Sequence, residues 1–326
     1  MRTLTLLALL ASWLTPADAC DLCGVYSASE ATRDVGVATT PSTTGVSRFR
    51  GSIAEQFTHF GTTSVDGSAV PNAAGQSLDS SITQLLFSYA VSEAAALQLN
   101  LPIIYRSYRR PGDGAIESGS VSGPGDASVL GKYELVRAAS GEKSVSWSAL
   151  AGVKLPTGSA ARLREELSET ETPAGQSPSG IHGHDLTLGT GSVDGIVGTA
   201  AEAHLKRYLF QAFAQYAVRT TGRYDYRFAN DLMWSAGPGY YLVLGDAGSL
   251  SVSANASGEL KGRDTFQGVV AEDTGINAVY VGPKLGATFG SGVAATLAVE
   301  LPVVRDNTAF QVVADSKLYA TLLLKF

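Results

Sequence analysis

Long apolar runs are missing from the body of this chain. Beyond the first twenty residues no run of 18 apolar residues occurs; the nearest, residues 293–304, is interrupted by Glu300 and Pro302, which excludes a helical membrane span. Charge is sparse as well, at 17% of residues with a net value of −6, so no basic surface is offered to nucleic acid and none is expected as a partner. No segment keeps a helical period, and no Pro/Ser-rich linker divides the 326 residues into separate soluble domains. Neither a Gly-x-Ser-x-Gly elbow nor a His-Glu-x-x-His pair is found, so no catalytic residue and no cofactor is assigned.

What is present begins at the N-terminus. Arg2, an apolar stretch over residues 4–14 and the small-x-small site Ala17-Asp18-Ala19 read as a secretory signal. The expected divisions are a signal peptide at 1–19, a flexible periplasmic lead-in with a CxxC pair at 20–46, and a β-barrel at 47–326. Cys20 stands where a lipoprotein would be acylated, but Ala17 occupies the place usually held by leucine.

Residue by residue, segment after segment alternates between apolar and polar. Leu97, Leu99, Leu101 and Ile103 alternate with Gln98 and Asn100; Trp147, Ala149, Ala151 and Val153 with Ser148, Gly152 and Lys154; Phe210, Ala212 and Ala214 with Gln211 and Gln215; Leu250, Val252 and Ala254 with Ser251, Ser253 and Asn255; Leu318, Leu322 and Leu324 with Lys317, Thr321 and Lys325. This is the period of β-strands lying between two different surroundings. The runs are about ten residues long, the length that crosses a bilayer at a tilt.

Connection lengths alternate too. Short turns are expected near residues 92–94, 138–143, 205–207, 245–249 and 290–292, and long loops over 61–80, 107–126, 157–188, 220–231, 262–277 and 305–316. Eleven connections give twelve strands, an even number, with both termini on the periplasmic side. The expectation is an all-β, transmembrane, antiparallel up-and-down barrel in the outer membrane, its apolar faces turned to lipid. In the first strand Phe49, Ile53 and Phe57 alternate correctly, but Glu55 and His59 share their face, which predicts a bulge or displaced boundaries. Phe326 ends an amphipathic strand, a terminal aromatic of the kind that outer-membrane assembly machinery reads. The alternatives are an outer-membrane barrel hydrolase and a secreted soluble β-sandwich that binds a partner, whose strands would also alternate.

Three segments resemble the outer-membrane family assigned to transport in a phenol meta-degradation pathway, itself loosely similar to the long-chain fatty-acid transporter barrels. They are Gly123-Pro124-Gly125-Asp126, Gly152-Val153-Lys154-Leu155-Pro156-Thr157-Gly158 and Leu188-Gly189-Thr190-Gly191-Ser192, within a likeness extending from Ser81 to Phe326. The resemblance implies a channel or transporter for small, hydrophobic or aromatic solutes. Physically the motifs read as rim features, since Pro156 cannot donate to a ladder and Gly158 permits unusual backbone angles.

If the barrel holds, Arg106, Lys132, Glu134, Lys154, Glu202, His204, Gln211, Arg219, Glu259, Lys261, Lys284 and Glu300 face the lumen, where charges either line a pore or pair and plug it. His182 and His184, at the end of the largest loop, form a candidate metal pair if a third ligand joins them, with Glu165, Glu166, Glu169 and Glu171 in the same loop. Cys20 and Cys23 are a candidate disulfide or thiol-exchange pair; Gly24 stands where covalent haem attachment would need histidine.

Overall fold

The computed structural model describes residues 48–112, 115–167, 178–290 and 292–325. The expected signal and lead-in, Cys20, Cys23, Glu169, Glu171 and Phe326 lie outside them. Twelve long strands carry the architecture: β1 (Phe49–Val65), β2 (Ser77–Ala90), β3 (Ala95–Pro111), β4 (Ser128–Ser140), β5 (Lys143–Lys154), β6 (Asp194–Leu205), β7 (Tyr208–Val218), β8 (Asp231–Gly245), β9 (Gly248–Lys261), β10 (Ile276–Phe289), β11 (Val293–Asn307) and β12 (Phe310–Lys325). Each pairs antiparallel with the next in sequence, and β1 closes on β12 from Arg50↔Lys325 to Val65↔Phe310. Closure leaves no sheet edge in the ring, as a membrane demands.

Alternation decides what each face meets. Leu97, Val153 and Phe210 are 49%, 44% and 46% exposed, whereas their neighbours Gln98, Lys154 and Gln211 are buried. A soluble sandwich would do the reverse, so this apolar coat marks a barrel surrounded by lipid. Lipid is therefore the solvent of the outer face.

The inner turns are short where expected, at residues 91–94, 141–142, 206–207, 246–247 and 290–292. Gly141 and Gly290 take φ of 58° and 57° there, angles that favour glycine. The outer side departs from expectation. The strands run from 11 to 17 residues, so much of the predicted loop is strand. Residues 305–316 are mostly β11 and β12, joined by Thr308 and Ala309 alone, and the loop expected over 61–80 shrinks to residues 66–76 between β1 and β2. Over 107–126, the end of β3 pairs with a returning strand, Ile116–Pro124. The polar composition of these stretches reports water outside the membrane; it does not report the end of the ladder.

The predicted irregularity in β1 is present as register shifts between His59 and Phe60 and between Phe60 and Thr62. Glu55 does face outward, accepting hydrogen bonds from Ser81 Oγ (2.6 Å) and Thr83 Oγ1 (2.5 Å), and His59 Nδ1 lies 2.7 Å from Asp79 Oδ1.

The outer half is not uniformly wet: Phe60, Leu78, Tyr108, Tyr280 and Val312 point inward and pack with Leu163, Ile181, Leu186, Tyr226 and Phe228 in one buried apolar cluster. Residues 159–167 and 178–187 supply much of it, through a 3₁₀ segment (Ala161–Leu167) and a single α-helical turn (Gly183–Leu186). These two stretches of the largest outer loop thus fold into the mouth of the barrel.

Candidate functional site: the barrel interior

Of the expected lumen residues, Arg106, Lys154, Arg219, Glu259, Lys261, Lys284 and Glu300 are buried inside the ring, and Gln211 with them. Glu202 and His204 point inward near the periplasmic turns and bond to each other. Lys132 and Glu134 also alternate inward on β4, and Glu134 pairs with Arg137. These positions fall into three layers.

The first layer is a chain of paired charges at the outer ends of β5 to β9. Lys154 Nζ lies 2.6 Å from Asp126 Oδ2 and 3.0 Å from Asp194 Oδ2; Arg219 then joins Asp194 (3.1 Å) to Asp231 (2.7 Å), and Lys261 holds Asp264 at 2.7 Å. The motifs that carried the family resemblance meet here. Asp126 Oδ1 accepts from the Gly158 amide (2.9 Å), and Oδ2 from the Thr190 amide (2.9 Å) as well as from Lys154. Lys154 also donates to Thr190 Oγ1 and to the Ser192 carbonyl. The glycines let the backbones touch: a Cβ on Gly158 would lie 2.6 Å from the Leu188 carbonyl oxygen, and one on Gly189 would lie 2.6 Å from Asp126 Oδ1. Reading the sequence for inward cations found its three cations, Lys154, Arg219 and Lys261. It missed Asp126, Asp194, Asp231 and Asp264, although the first lies inside a quoted motif and Asp194 and Asp231 each open a strand.

The second layer anchors the inserted segment. Arg106 donates from Nη1 to the carbonyls of Asp185 (2.7 Å) and Thr187 (2.6 Å). Gln76 bonds the Pro178 carbonyl and the Gly180 amide, and Arg110 reaches Glu165 at 2.9 Å. His182 and His184, the candidate metal pair, also lie in this layer. Their rings stack at 5.6 Å, and His184 is held between Glu166 (3.1 Å) and Asp185 (3.3 Å). Among the described residues no three His, Cys, Asp or Glu side chains are grouped to hold a metal. Burial opposes charge on His184, but Asp185 and Glu166 outweigh it and raise its pKa well above the usual histidine range. Burial likewise works against Asp185, and His184, His182 and the His182 amide overcome it, holding that carboxyl at about 2.

The third layer lies toward the periplasm, below the inserted segment. A small recess opens on the wall formed by β7 to β10 and is lined by Leu209, Gln211, Tyr241, three serines of β9, Lys284, Gly286 and Thr288. Lys284 Nζ donates to Gln211 Oε1 at 3.2 Å.

A closed ring of twelve strands, apolar outside and charged within, is now complete. The fold is that of a transmembrane barrel. The COG4313 outer membrane channel from Pseudomonas putida F1 has a similar structure, at 15% identity, a TM-score of 0.61, and 86% of this chain covered against 96% of that one. The β domain of the Bordetella autotransporter BrkA (10% identity, 85% and 99% covered, TM-score 0.44) and a Pseudomonas aeruginosa FadL homologue (11% identity, 86% and 90% covered, TM-score 0.34) are more distant barrels, too dissimilar to argue from. No family model and no curated protein matches this sequence. The barrel's identity rests on its own surface chemistry and on the shared fold.

Proposed function

We propose that this chain is an outer-membrane channel for small solutes, closed at its outer mouth by its own inserted segment. The observation that carries the reading is the radial inversion: polar and charged side chains lie inside a closed ring whose outer face is apolar, the arrangement of a barrel that spans lipid around an aqueous interior. The fold shared with the COG4313 outer membrane channel supports it. The solute class is small and partly apolar: the interior combines hydroxyls and single charges with Tyr241, Leu209 and the aromatic cluster above. The likeness to phenol-pathway transporters points the same way. The lipid of the outer membrane is the barrel's surroundings and the solute its cargo, with no catalytic residue required.

Planar-bilayer conductance and proteoliposome uptake of small aromatic acids and phenols test this. The purified chain should pass solute, and replacing residues 161–182 by a short Gly/Ser linker should raise conductance at least several-fold by emptying the mouth. Absence of current and uptake in both proteins, each verified as folded by heat-dependent gel mobility, would remove the channel assignment and leave the barrel.

A further inference from the structure

The charges nearest the periplasmic turns are arranged differently from those above them. Below the small apolar cluster of Ala54, Leu86, Leu130 and Ile196, the inner wall carries Arg50 on β1, Lys132 on β4 and Lys325 on β12. Their facing follows from strand parity, since Ser52 and Ala54, Leu130, and Thr321 and Leu323 on the same alternations are buried inside the ring. Arg50 and Lys325 are direct register partners across the seam that closes the barrel, where like charges opposite each other destabilise a ladder. The two strands between Arg50 and Lys132 present Ser88 and Gln98 to this wall, so no carboxylate stands between the cations. Arg50 and Lys132 are exposed although they point inward, which makes this end of the interior an open vestibule. Lys132, Lys325 and Arg137 are all within electrostatic reach of Arg50.

Two carboxylates lie at this level. Glu134 is held by Arg137, its Oε2 accepting from Nη2 at 2.6 Å, and Glu202 is bonded to His204. Both also act on Lys132 at longer range. Among the described residues Arg50, Lys132 and Lys325 make no ion pair and no side-chain hydrogen bond; with Arg137 counted, four cations meet two carboxylates. We propose that this vestibule is an anion site, held by Arg50, Lys132 and Lys325, which gives the channel a preference for small cargo carrying several carboxylate or phosphate charges. A mobile anion supplies the countercharge that the wall lacks, and the low-dielectric ring focuses the field that gathers it. This deepens the channel reading and rests on it for the role of the site, while binding itself is measured without transport.

The test is equilibrium dialysis of the detergent-solubilised full chain with radiolabelled citrate and, separately, uncharged glucose. Citrate should bind and glucose should not, and citrate should weaken as ionic strength rises from about 0.01 M to 0.15 M and the screening length falls from about 30 to 8 Å. Arg50→Gln and Lys132→Gln should each weaken citrate about two- to fivefold, the worth of one exposed ion pair, and together about tenfold. Arg50→Lys should keep most of the affinity, and Arg263→Gln, paired with Glu272 on the outer side, should change nothing. Lys325→Gln, which ends the like-charge opposition, decides the matter should Arg50→Gln fail to fold. In the protein with residues 161–182 replaced, the reversal potential across a KCl gradient should favour chloride, and Arg50→Glu with Lys132→Glu should turn it toward potassium. Citrate bound no better than glucose, citrate affinity unmoved in folded Lys132→Gln and Lys325→Gln, an equal loss in Arg263→Gln, or a reversal potential indifferent to the two glutamates would overturn the proposal. Of these, the last leaves a conducting channel intact; charge-dependent citrate binding in a protein that passes neither current nor solute would instead remove the channel reading and spare the site.

Discussion

Lys154 shows how closely a single side chain is committed. Its ammonium is fully buried between Asp126 and Asp194 with Thr190 and Ser192 completing its shell. A buried ion cluster adds little net stability against an apolar substitute for the whole set, but removing one member leaves the others charged and unpaired, at a cost of about 3–5 kcal/mol. Lys154→Met should therefore lower the midpoint of heat- or urea-induced loss of the compact gel form, and adding Asp126→Asn should recover part of the loss. A single variant with unchanged stability would show that the cluster is decorative. Glu55 presents the same chemistry on the opposite face, where two hydroxyl donors make a carboxylate tolerable on the lipid side.

Among the elements, the inserted segment, described over residues 159–167 and 178–187, behaves most like a separable part. It is held by an apolar cluster, by Arg106 and by the buried His184 with its two carboxylates. The linkage signs can be stated for the two shifted groups. His184 has a raised pKa, so its contribution is full below its ordinary value of 6.5 and is lost as pH rises through the higher folded value. Asp185 is depressed from 3.8 to about 2, so its contribution is full above 3.8 and is lost as pH falls toward 2. Hydrogen-exchange protection of the amides at residues 183–188, corrected for the intrinsic pH dependence of exchange, should be greatest between about pH 4 and 6.5 and decline on both sides. In His184→Gln the decline above pH 6.5 should vanish; its persistence would assign the effect to other groups.

For the molecule as a whole, the decisive property is which solvent each face meets. Leu101→Arg places a cation midway along the outward apolar row Leu97 to Tyr105 of β3 and should cost about 2–4 kcal/mol, read as a loss of folded barrel in lipid vesicles. Ser251→Arg on the inner wall should be tolerated far better while changing ion selectivity. Equal effects from the two substitutions would contradict the assignment of inside and outside.

Period-two alternation, the run lengths and the short inner turns were enough to determine twelve antiparallel strands, their facing and the ring, because side-chain direction in a strand follows from local geometry alone. The inward placement of Arg106, Lys154, Arg219 and Lys284 was legible for the same reason. The outer boundaries were not, since a polar residue on a wall that stands clear of the membrane looks like a loop residue. Nor was the filled mouth, because the contacts of Leu163, Ile181 and Leu186 with Phe60, Leu78 and Val312 join residues far apart in the chain, and local periodicity carries no record of such meetings. Only tertiary structure brought the three glycine motifs onto one aspartate and set His184 between Glu166 and Asp185. In each case the deciding quantity is a through-space distance, which the order of residues does not contain.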